Sequence, residues 1–209
     1  MDDKWKVGRV IARPYIGTKE GHFTRTSNRH DYALAPFSKT ALDSLKDAGL
    51  DVIGVGKIPD IFVDQGITRK IKTVSNEDGM NKTIELASDN FNGLAFINLV
   101  DFDAVYGHRR NAAGYGKAIE EFDVQLGKLI NELKNDDLLM VTADHGNDPT
   151  YRGTDHTREQ VPLIIYSKQF NEMKVLNDGD SFGIIGSTIC DNFNVKYNGI
   201  GSSILELLK

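Results

Sequence analysis

Two pairs of residues and a single further histidine in this 209-residue chain have the types and spacing of metal ligands. Asp103 and His108 lie five positions apart, Asp144 and His145 are adjacent, and His156 follows eleven positions after His145. Carboxylates and imidazoles together favour borderline or hard divalent cations such as manganese, zinc or iron, and with one cysteine in the chain a thiolate-selective site is excluded. Five such ligands exceed what one tetrahedral site with an open position uses. Two ions about 3.5 to 4 Å apart would instead clamp an in-line phosphoryl displacement, stabilising the attacking and leaving oxygens together. Asp144 and His145 suit such a centre, because neighbours in an extended segment point in opposite directions and can face different ions.

Alternating helices and strands must carry these residues. The stretch 38–50 has a Ser38 cap signal, apolar positions at Leu42, Leu45 and Ala48, and a stop at Gly49, so it predicts a helix. Residues 51–58 and 92–100 are apolar runs of strand length, and 112–135 repeats apolar residues on one helical stripe from Ala118 through Leu133. The runs 137–143 and 161–167 have the character of buried strands, and the last nine residues read as a short capped helix. The expected class is α/β with a mostly parallel sheet. In such a sheet ligands bind beyond the strand carboxyl ends, and Asp101, Asp103 and His108 follow one strand there while Asp144 and His145 follow another. His156, just before the next strand, can fold back to the same edge. Asp101 is expected to orient an imidazole ligand. Arg109 and Arg110 read either as loop-orienting residues or as surface ion pairs. Residues 1–35 break the rhythm: they are rich in Arg, Lys and aromatic residues and stop before Pro36, which marks the one candidate boundary.

Composition bounds the function. The chain is 40% apolar and 26% charged, with a formal net charge of -5 and no basic block, which argues against a nucleic-acid binder and for a small cation as ligand. No run reaches the ~18 apolar residues of a membrane span, and the first residues show no secretory pattern, so a cytoplasmic location is expected. Cys190, in the helical stretch "STICDNF", reads as a buried structural thiol.

The segments "NLVDFDAVYGHRRNAAGYGKAIEEFD" and "VTADHGNDPTYRGTDHTREQVPLIIYS", with "GRVIARPYIG" and "FTRTSNRHDYALAP", resemble the bacterial phosphopentomutases of the alkaline phosphatase superfamily through essentially the whole chain. The resemblance implies an alkaline-phosphatase-like α/β core and an isomerase that interconverts ribose or deoxyribose 1-phosphate and 5-phosphate, using two manganese ions and a phosphorylated threonine. By position it implies that Asp103, His108 and His156 hold one manganese (Mn2+) and that Asp144 and His145 supply part of the second site. It also implies that residues 1–35 are the last portion of an inserted cap domain and 36–209 the C-terminal half of the core. The threonine nucleophile and one aspartate ligand would then belong to an N-terminal half, a partner without which mutase turnover is not expected. Arg9, Arg13, Arg25, Arg29 and Lys57 are the candidates for holding the sugar phosphate, since guanidinium forks and ammonium groups match phosphate oxygens. Two other readings stand beside this one. One is a different metal-dependent member of the superfamily, such as a phosphoglycerate mutase or a phosphodiesterase; the other is a non-catalytic metal-binding or interaction module.

Overall fold

The computed structural model describes residues 7–26 and 30–208. Four short strands come first: β1 (Arg9–Ala12) pairs antiparallel with β4 (His30–Ala33), and β2 (Tyr15–Ile16) with β3 (Thr24–Arg25). Helix α1 (Ala41–Asp47) follows, then strand β5 (Asp51–Val55), the short helix α2 (Ile58–Ile61), strand β6 (Arg69–Ile71), helix α3 (Asn76–Ser88) and strand β7 (Gly93–Ile97). A long helix α4 (Ala112–Glu132) leads to β8 (Leu139–Thr142), β9 (Leu163–Tyr166) and helix α5 (Gly183–Asn192).

The strand β5 organises the packing. It lies between β6 and β7 with both neighbours parallel, and Val52, Ile53 and Val55 are all buried. Successive side chains of a strand point to opposite faces, so this one strand feeds two cores. Val52 joins Leu42, Leu45, Ile58, Ile67 and Cys190 on the side of α1 and α5, while Ile53 and Val55 join Leu86 of α3 on the other. Helices on both faces of a parallel sheet make this the α/β architecture that the sequence predicts. Cys190 is the buried thiol expected, and burial pushes its pKa up, which keeps it a packing residue rather than a nucleophile.

Three local expectations are corrected. The cap of α1 is Thr40 and not Ser38: the Thr40 hydroxyl accepts from the Asp43 amide while Asp43 Oδ2 accepts from the Thr40 amide at 2.7 Å, a reciprocal capping box. The chain end forms a 3-10 turn over Leu205–Leu208 rather than an α-helix. β8 and β9 pair antiparallel with each other and are half-buried rather than buried, with Ile164 exposed. Among the described residues neither β7 nor β8 has a second partner strand, so each leaves one edge without a ladder partner. The stop at Gly49 is as read. Its φ of 81° is the left-handed region, and the Gly49 and Leu50 amides return to the carbonyls of Lys46 and Leu45 in a Schellman closure.

The accessible surface is 14403 Å², whereas a compact monomer of 23.2 kDa exposes about 9,700 Å². Phe37, Val124, Ile164 and Val175 contribute exposed apolar area to that excess.

The Asp43 carboxyl has one cost and several supports. Partial burial opposes its ionisation, and hydrogen bonds from the Thr40 amide, the Thr40 hydroxyl and the Gln65 amide outweigh that, holding its pKa below the ordinary value. A depressed carboxyl contributes stability that is complete above its unfolded pKa and is lost as pH falls through the lower folded value. Thr40→Ala should therefore cost about 1 kcal/mol in urea unfolding at pH 7, with the deficit shrinking as the pH drops below 3.8. A deficit independent of pH would show that the hydroxyl, and not the carboxylate it supports, carries the cap.

Candidate metal centre

The segment after β7 is built by an unusual winding. Asp101 accepts the Asn76 amide at 2.7 Å and its own amide donates to Asn76 Oδ1 at 2.9 Å, which ties this corner to the first turn of α3. That is what Asp101 does in place of orienting an imidazole. A π-helical turn then runs over Phe102–Gly107, and the His108 amide donates to the Asp103 carbonyl at 2.9 Å. In an α-helix, residues five apart point about 140° away from each other. The wider π turn brings the fifth residue back over the first, which is how a pair with this spacing can meet. Such turns are frequent at functional sites.

Three segments converge there. His108 Nε2 lies 3.4 Å from Asp103 Oδ1, His156 Nε2 lies 3.3 Å from the same oxygen, and the two Nε2 atoms are 3.2 Å apart. For metal–ligand bonds of 2.0 to 2.1 Å, the edges of a tetrahedron are about 3.3 Å. The three atoms thus already stand at the spacing of a tetrahedral face. His145 joins them: its ring stacks on His156 with centroids 3.6 Å apart, and Asp103, His145 and His156 each offer a ligand atom within 4.8 Å of the others. Asp144 stands on the open side, with Oδ1 3.7 Å from His145 Nε2 and its side chain 79% exposed. The donor set fits a divalent cation in chemistry and in spacing.

The second ring nitrogens of His108 and His145 are engaged. His108 Nδ1 lies 2.6 Å from the Thr154 carbonyl, which can accept but not donate, so the proton sits on Nδ1 and leaves Nε2 as the lone-pair face. His145 Nδ1 stands in the same relation to the Gly146 carbonyl at 3.1 Å. Asn147, which is buried, donates from Nδ2 to Asp103 Oδ1 at 2.6 Å and accepts from Arg110 at 2.7 Å. Arg110 also donates to the carbonyls of Gly107, Asp148, Gly153 and Asp155. Burial first, and then the negative Asp103, push the Tyr115 phenol up.

Sequence reasoning singled out the five ligand candidates and missed Asn147 as a partner of Asp103. Its place directly after Asp144, His145 and Gly146 was the available signal. Of the phosphate-binding candidates, Lys57 occupies the residue just before α2 without a capping hydrogen bond from its side chain, and lines a crevice of about 610 Å³ together with Lys72, Thr73, Ser75 and Asp101. This crevice opens where β5, β6 and β7 end. Arg9 lies in β1, Arg25 in β3 and Arg13 between β1 and β2, and Arg29 lies outside the described residues.

A family model of the Metalloenzyme superfamily matches residues 12–197. The phosphopentomutases of Clostridium botulinum (strain Alaska E43 / Type E3) and Agathobacter rectalis are each 59% identical to this chain over 210 residues, and that of Clostridium beijerinckii is 57% identical. Each alignment covers 100% of this chain and 53% of the relative, so the chain spans about half the length of the curated relatives it matches. Titration with cobalt(II) should give visible absorption bands that saturate. These bands should be lost in Asp103→Ala and His156→Ala, and bands unmoved by both substitutions would place the ion elsewhere. On the family match and the donor geometry together, this chain belongs to the metalloenzyme superfamily.

Proposed function

We propose that this chain is the metal-bearing C-terminal half of a phosphopentomutase, with residues 1–35 from the end of its cap and residues 36–209 from its core. The observation that carries the reading is the 59% identity to phosphopentomutases along the whole chain. The donor cluster adds support, because its ligands suit manganese as well as zinc or iron. In this reading Asp103, His108 and His156 hold one manganese, and Asp144 and His145 form part of the site for a second. Bound manganese would supply electrostatic stabilisation of the phosphoryl oxygens during transfer between the two ends of a pentose.

The chain's own residues supply position and charge. His108 presents Nε2 because Thr154 holds its other ring proton. Lys57 places an ammonium group at the crevice beyond β5, where a sugar phosphate would meet it as a point charge. Arg9, Arg13, Arg25 and Arg29 are assigned to the phosphate from the cap side. The threonine nucleophile and the remaining aspartate ligand belong, in this reading, to the other half of the relatives' length. That half would also pair with the free edges of β7 and β8 and cover the exposed apolar surface. A cytoplasmic setting accords with a phosphorylated pentose as substrate, and no described helix is long and apolar enough to cross a membrane.

Manganese binding and conversion of ribose 5-phosphate to ribose 1-phosphate should be measured for the chain alone and mixed with the N-terminal half of the Clostridium beijerinckii relative. Manganese should bind to the chain alone and be weakened by Asp144→Ala and His156→Ala. Turnover should stay at background until the second half is added. Full turnover by the chain alone, or manganese binding indifferent to both substitutions, would sink the reading.

A further inference from the structure

We infer that Arg110 and Asn147 form a positioning relay that sets the Asp103 carboxylate and the His156 loop for the metal ion, an inference that rests on the metal-centre reading above. Arg110 has φ 51°, a left-handed conformation that residues other than glycine seldom adopt. From there its guanidinium meets the loop that follows β8. Nε donates to the Gly153 carbonyl at 2.6 Å and Nη2 to the Asp155 carbonyl at 2.5 Å. Nη1 faces Asn147 Oδ1 at 2.7 Å and the Gly107 and Asp148 carbonyls at 3.0 Å each. One side chain thus joins the π turn that carries Asp103 to both ends of the segment that ends at His156.

Asn147 passes the constraint on to a ligand atom. Its amide oxygen accepts from Arg110 while its amide nitrogen donates to Asp103 Oδ1, the oxygen that stands 3.3 and 3.4 Å from the two imidazoles. Each end of the amide has a partner of one polarity, so the network fixes which way the side chain points. Gly107 leaves the space for it: a Cβ there would come within 2.4 Å of Asn147 Nδ2. The Thr154 carbonyl that accepts from His108 lies between the two loop carbonyls that Arg110 grips, so the same clamp sets the orientation of that imidazole. Residues 151–156 are exposed, and packing therefore contributes little to holding them. A lysine could not replace the clamp, because its three donors radiate from one nitrogen, whereas these acceptors surround a planar fork.

The test is manganese affinity and the cobalt(II) absorption spectrum of the full chain, wild type against Arg110→Ala, Arg110→Lys, Asn147→Ala and Arg109→Ala. Outer partners of metal ligands typically cost 10 to 100-fold in affinity when removed. Losses of about that size are expected for the first three variants, with a changed cobalt spectrum and an unchanged apo circular dichroism spectrum. Arg109→Ala, at an exposed neighbour, should match wild type. Guanidinium at millimolar concentration should restore part of the affinity of Arg110→Ala and none of that of Asn147→Ala, a rescue that general loosening of the fold would not give. Should Arg110→Ala fail to fold, Arg110→Lys and Asn147→Ala decide by the same titration. Wild-type affinity and spectrum in the Arg110 and Asn147 variants would overturn the relay while leaving the metal centre standing. Failure of the wild-type chain itself to bind manganese or cobalt would instead remove the metal centre and the relay with it.

Discussion

The hydrogen bonds from Arg110 to the loop after β8 are the contact on which the rest of the centre depends. The ligand candidates come from a π turn, a strand end and an exposed loop, and the loop has little apolar burial to hold it. Charge-assisted donation from a rigid, always-charged fork to backbone carbonyls supplies the missing attachment, and it does so without bringing a further anion into the cluster. Through Asn147 the same group reaches Asp103, so the carboxylate and the imidazoles share one support.

That support works because the π turn stands on a well-packed base. β5 is buried on both faces, and β7 beside it delivers the chain to Asp101. Asp101 and Asn76 exchange two hydrogen bonds that lock the turn to α3. Burial falls from the parallel strands outward to the exposed loop 151–156, and the chemistry-bearing residues lie along that gradient. β8 and β9 form a separate ladder, and the surface area far exceeds that of a compact monomer. Among the described residues the edges of β7 and β8 have no second strand, and single apolar side chains such as Ile164 stand exposed beside them.

The elements were legible where a local rule governs them. Leu42 and Leu45 repeat at helical spacing and both are buried, and Gly49 closes α1 because its left-handed φ favours glycine. The continuous apolar run of β5 announced a strand buried on both sides. Errors arose where two local signals competed or where cover was assumed. Ser38 and Thr40 are both cap residues, and Thr40 wins because Asp43 stands three positions after it to complete the box. Residues 163–166 have the composition of a buried strand, yet the residues described leave one of its faces open.

What the sequence by itself determined is the alternation of helices and strands, and the placement of carboxylate and imidazole candidates just beyond strand ends. Residue type and short-range spacing decide both. What only the tertiary structure decided is which of those candidates share an atom's neighbourhood and what holds them there. The winding of the turn after β7 brings Asp103 and His108 together, and the fold of the loop after β8 brings His156 to them. The roles of Arg110, Asn147 and Gly107 are of the same kind. Each depends on acceptors or space supplied by residues up to 45 positions away in the chain, and such distances are set by folding and not by local propensity.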